Sequence, residues 1–121
     1  MSKIANLTVA GKSGTKYTFE VYPKDSAWNH IPAVYLVTRR VTSIERGGKA
    51  VHEKIFVGQT DNLNEAFSHH PQEEFFSSEG ANCIGVLQEP SEESRMAIEE
   101  DIRAGGKWPR DAAKACEYSC A

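Results

Sequence analysis

With 121 residues the chain has room for one domain around one modest core. A formal charge of −3 argues against general duplex DNA binding, which depends on Lys and Arg replacing counterions, but leaves room for a local basic face. No apolar run approaches membrane-spanning length, so no membrane partner is expected.

Met1–Asn6 lack the apolar run of a secretory leader, and there are three cysteines, Cys83, Cys116 and Cys120. The expectation is a cytoplasmic protein with free thiols. Leu7-Thr8-Val9 and Tyr17-Thr18-Phe19-Glu20-Val21 flank a glycine-rich turn and read as a β-hairpin. Gly11-Lys12-Ser13 within that turn is not a phosphate loop, because the earlier glycine would fall at Asn6 and a strand follows rather than a helix. Pro23 and Pro32 bracket a connector whose Trp28 is expected to pack onto the sheet.

Ala33–Val41 and Ala50–Val57 are the next two strands, joined through the turn signal Arg46-Gly47-Gly48-Lys49. Strict alternation sets Tyr35, Val37 and Arg39 against Val34, Leu36 and Thr38, and His52, Lys54 and Phe56 against Val51, Ile55 and Val57. On that reading Tyr35, Arg39, His52, Lys54 and Phe56 look toward one aromatic, positive surface, a candidate nucleic-acid face on an arm that also carries Arg40. A solvated hairpin arm is the other reading.

Gly58 permits a sharp exit from the strand. Asn62 with Glu65 three residues later resembles a capping box, and Leu63, Ala66 and Phe67 recur at helical spacing. That helix stops near His70, because Pro71 drives its predecessor from the α region. Pro71–Phe76 opens a second short helix. Asn82–Leu87 reads as a strand in the sheet centre, with Cys83 a small buried hydrophobe. Ser91 caps the longest helix, Ile98 and Ile102 define its buried face, Glu99 lies beside that face, and Gly105-Gly106 ends it. Asp111 is expected to cap a last short helix through Ala115.

Phe56-Val57-Gly58-Gln59-Thr60-Asp61-Asn62-Leu63 resembles the second half of the signature of GIY-YIG nucleases, Ala33-Val34-Tyr35-Leu36-Val37 resembles the first half, and Arg95–Ile102 resembles the helix that carries the family's metal-binding glutamate. The resemblance implies an α+β fold: a small antiparallel GIY-YIG-like sheet flanked by helices, here with an extra N-terminal β-hairpin. The chain is then a single domain, with residues 1–32 as hairpin and connector, 33–111 as the core and 112–121 as a tail. Ala33 replaces the first glycine, Phe56 replaces the second tyrosine, and Ala66 stands where the family has its catalytic arginine.

What the resemblance implies for chemistry follows position by position. Glu99 would hold Mg²⁺ or Mn²⁺, Tyr35 would assist proton transfer, and His69 or His70 would match a histidine that follows the helix in some members. Without the arginine, activity is expected to be weak or lost, since one preorganised charge-stabilising donor is typically worth on the order of a hundred- to a thousandfold in rate. The expectation is a degenerate nuclease-like module that binds nucleic acid or an acidic protein through Arg39, His52, Lys54, Phe56 and His69. The alternatives are an active metal-dependent endonuclease and a homodimer formed through hairpin edges. Zinc held by Cys116, Cys120, His69 and His70 is weighed for that spacing and not expected, because no tight second ligand pair accompanies it.

Overall fold

The computed structural model describes residues 3–43, 47–106 and Trp108. Arg46, Asp111, the helix expected through Ala115, Cys116 and Cys120 lie outside the described residues, as does the side chain of Lys49. The fold is α+β. Strands β1 (Ala5–Ala10), β2 (Lys16–Pro23), β3 (Ala33–Ser43), β4 (Lys49–Thr60) and β5 (Cys83–Gln88) form one antiparallel sheet in the order β1-β2-β5-β3-β4. Helices α1 (Leu63–Ser68) and α2 (Glu73–Ser78) lie between β4 and β5 in the chain, and α3 (Glu92–Ala104) follows β5. Among the described residues no helix is long and apolar enough to cross a membrane.

The apolar segment at Cys83–Val86 takes the middle of the sheet because it is buried on both faces. It joins the N-terminal hairpin to the β3–β4 pair, with Val21 opposite Gly85 on one side and Leu36 opposite Gly85 on the other. Alternation then divides the core in two. Ala33, Tyr35, Val37, Ile84 and Val86 pack under Leu63 of α1 and Phe76 of α2, with Trp28 closing the same cluster. Val9, Phe19, Val34, Leu36 and Val57 pack against Ile102 of α3 and against Trp108.

The β3–β4 pair departs from strict alternation. Val37 pairs with Phe56 and Thr38 with Lys54, so Ile55 has no partner across the ladder. This β-bulge reverses the phase of β4. Ile55 therefore joins the cluster under α1 and α2, while Val57, two residues on, joins the cluster under α3. Both strands also run further than expected: β4 passes through Gly58 and ends at Thr60, so Gly58 is not the exit from the strand. Its need for glycine comes from packing. A Cβ there would fall 2.5 Å from the Tyr35 hydroxyl oxygen.

Local signals place the helices. The Asn62 side chain accepts from Glu65 N–H at 3.2 Å and starts α1, and Ser91 accepts from Ser94 N–H at 3.2 Å and starts α3. Arg95, Ile98 and Ile102 turn one face of α3 onto the sheet. At its far end Asp101 accepts from Ser13 N–H at 2.9 Å, from Ser13 Oγ at 2.6 Å and from the Tyr17 hydroxyl at 2.7 Å, clasping the β1–β2 turn. Gly11-Lys12-Ser13 is thus a turn tied to the C-terminal end of α3.

Candidate functional site

The turn from α1 to α2 brings His70 back over the end of the β3–β4 pair. Its Nε2 lies 2.7 Å from the Tyr35 hydroxyl oxygen, and its Nδ1 accepts from Gln72 N–H at 3.0 Å. Aromatic rings surround the imidazole: Phe76 at 4.8 Å between centroids, Phe67 at 5.6 Å, Phe56 at 5.7 Å and Tyr35 at 5.8 Å. The hydroxyl end of the Tyr35 ring lies over Gly58, and the ring is stacked with Phe56 and met edge-on by Phe67. In front of Tyr35, Phe56 and His70 opens a shallow cavity of about 480 Å³ bounded also by Gln59, Glu65 and Ala66.

The electrostatics of this site follow from burial. Removal from water pushes the Tyr35 hydroxyl well above the usual tyrosine range, and the Glu99 carboxylate pushes it further while Arg103 opposes. The charge of Glu99 is therefore felt at Tyr35, although Glu99 lies on α3. Burial lowers His70 from its usual 6.5 to about 4, so the imidazole is neutral near pH 7. A neutral imidazole that accepts at Nδ1 carries its proton on Nε2. Nε2–H then donates to the Tyr35 oxygen, and the Tyr35 O–H is left to donate elsewhere.

A buried arginine holds Gln59 from α3. Arg95 is 3 % exposed, and it donates from Nε to Gln59 Oε1 at 2.9 Å and from Nη1 to the carbonyls of Glu89 and Pro90. Arginine only donates, so the Gln59 atom facing it is the oxygen. Gln59 pairs with Val34 across the ladder, so its side chain lies on the α3 face with Arg95, opposite the Tyr35 ring.

The residues match a resident divalent ion poorly. The expected ligand, Glu99, is ion-paired with Arg103 at 3.3 Å, and Arg103 also donates to the Val57 carbonyl at the edge of β4. Among the described residues no three His, Cys, Asp or Glu side chains gather to hold a metal. A lone carboxylate with a guanidinium against it is a weak seat for Mg²⁺ or Mn²⁺, which take several oxygen ligands.

The other expected residues scatter. Tyr35 and Phe56 meet, but the bulge carries His52 and Lys54 to the opposite face with Thr38, where the Thr38 hydroxyl and His52 Nδ1 lie 3.1 Å apart. The single surface of Tyr35, Arg39, His52, Lys54 and Phe56 is therefore not formed. Arg39 lies out along the arm, paired with Glu53 at 2.9 Å. His69 is exposed at the cavity rim, and His70, not His69, is the histidine that reaches Tyr35. Helical spacing gives no signal for that choice, because α1 ends at Ser68 and His70 is placed by the turn that follows. Cys83 is buried beside Thr38, as a small hydrophobe should be.

The chain is thus an α+β protein with an aromatic pocket built on a buried tyrosine–histidine pair. Comparison with protein-family models, with curated proteins and with solved structures finds no match to it.

Proposed function

We propose that this chain is a GIY-YIG-like domain that binds nucleic acid and cleaves it weakly or not at all. The observation that carries the reading is the meeting of Tyr35, Ala66 and His70 at one cavity with the charge of Glu99 acting on the same hydroxyl. These are the positions that the sequence resemblance brings forward as a site, and they lie far apart along the chain. Alanine at position 66 offers no charge to a phosphate, Phe56 offers no hydroxyl, and Glu99 faces Arg103 rather than an ion. Each absence removes stabilisation from a phosphorane-like transition state. The exposed cations Arg39, Arg40 and Lys54 on the β3–β4 arm supply attraction for a backbone on either face.

The test is equilibrium binding of the full chain to labelled single-stranded and duplex DNA across a salt series. Binding that weakens steeply with salt, and weakens further in the double variant Arg40→Ala with Lys54→Ala, supports the reading. Absence of binding at low salt, or binding indifferent to salt, overturns it.

A further inference from the structure

We propose that the β3–β4 arm holds the phosphates of a nucleic-acid strand on its α3 side, at a seat made by Arg40, Lys54 and His52; this rests on the nucleic-acid reading above. Register brings the three together. Thr38 pairs with Lys54 and Arg40 with His52, and directly paired residues share a side, so Arg40 and Lys54 are diagonal neighbours. Strand geometry sets such neighbours roughly 7–8 Å apart, which lets two long side chains reach one phosphate group. The Thr38 hydroxyl lies 3.1 Å from His52 Nδ1 and fixes the imidazole on the same side. Asn82 steadies the strand under Arg40. Its Oδ1 accepts from Arg40 N–H at 2.7 Å, and its Nδ2 donates to the Arg40 carbonyl at 3.1 Å.

The two sides of the arm differ in charge. Arg40 and Lys54 are exposed, and among the described residues neither is ion-paired. Arg39, on the other side, is exposed as well, but its guanidinium lies 2.9 Å from the Glu53 carboxylate. Its stem lies against Gly80, next to Glu79 at the end of α2. A phosphate on that side would compete with Glu53 for Arg39 and meet the charge of Glu79. On the α3 side it would displace only counterions from two cations. Burial, and then the charge of Arg40, hold His52 below the usual histidine range, so its imidazole is neutral near pH 7. His52 thus brings hydrogen bonding to the seat, and Arg40 and Lys54 bring the charge.

The experiment titrates the full chain with two fluorescent probes across a salt series: a thymidine oligonucleotide of roughly ten residues and an abasic strand of the same length, with the same phosphates. Arg40→Ala and Lys54→Ala are each expected to weaken binding several-fold and to lower the slope of log affinity against log salt by about one. Arg39→Ala removes the same charge from the other side of the arm. It is expected to cost about twofold or less, through the screened field alone. Because Arg39→Ala and Arg40→Ala leave the same net charge, a general attraction cannot separate them. The losses should be the same on the abasic strand, since phosphates are the ligand. The three side chains are exposed, and circular dichroism should show all three variants folded. Equal losses at positions 39 and 40, a larger loss at position 39, or losses confined to the thymidine strand overturn the seat and leave the nucleic-acid reading standing. Failure of the unaltered chain to bind either strand overturns both.

Discussion

The Tyr35 hydroxyl oxygen and His70 Nε2 lie 2.7 Å apart inside a shell of aromatic rings, which makes this pair the polar centre of an otherwise apolar cluster. The pair stabilises the fold only while the imidazole is neutral. His70 has a folded value of about 4 against its usual 6.5, so the unfolded chain binds the proton more readily. Its contribution is complete above pH 6.5 and is lost as the pH falls from there toward 4. The urea midpoint measured at steps across that window should fall, and His70→Phe should flatten the fall. The imidazole resonances should titrate near 4 in the folded protein.

Gly58→Ala should distort the site. The added methyl would fall 2.5 Å from the Tyr35 oxygen and 3.1 Å from a Phe56 ring carbon, with strand backbone behind it. Overpacking of this kind costs about 1–3 kcal/mol. Chemical denaturation should show that loss, and near-ultraviolet circular dichroism should show the displaced tyrosine. A similar constraint holds at Gly105, where a Cβ would fall 2.6 Å from the Lys12 nitrogen of the hairpin turn.

Asp101→Asn tests the clasp between α3 and the N-terminal hairpin. Hydrogen bonds from Ser13 and Tyr17 hold the Asp101 carboxyl below its usual value of 3.8. A depressed carboxyl contributes stability above its unfolded value and loses it as the pH falls through the folded one. The variant should melt at a lower temperature at pH 7 than the parent, and the gap should close under strongly acidic conditions. Hydrogen exchange at Ser13 N–H should rise first, because that amide donates to the carboxylate.

Much of this fold is legible in the residues. The caps at Asn62 and Ser91, the apolar run at Cys83–Val86 and the pair Ile98 and Ile102 each act through local or periodic chemistry, and each element forms where that chemistry puts it. The bulge at Ile55 is not legible, because Ile55-Phe56-Val57 reads as smooth alternation until the partner strand sets the register. One unpaired residue was enough to carry His52 and Lys54 away from Tyr35. Gly58 misleads for a related reason: glycine signals a turn locally, whereas here it makes room for a ring from a neighbouring strand. Arg95 reads as one more helix cation, and only the fold shows it buried behind Gln59.

Ala66→Arg separates charge from catalysis. A guanidinium at the cavity should strengthen binding of DNA at low salt and steepen the salt dependence by about one unit of slope. It should not confer cleavage, because Glu99 remains paired with Arg103 and Phe56 still lacks a hydroxyl. Salt-titrated anisotropy and a plasmid nicking assay on the same preparation check the two halves.

The most direct measurement is cleavage of plasmid, single-stranded DNA and RNA by the unaltered chain in Mg²⁺ or Mn²⁺, with Glu99→Ala alongside. The expected result is no divalent-dependent cleavage above that of Glu99→Ala, from protein that binds the single strand in a salt-dependent way. Divalent-dependent nicking by the parent that disappears in Glu99→Ala would contradict it and make the chain an active endonuclease.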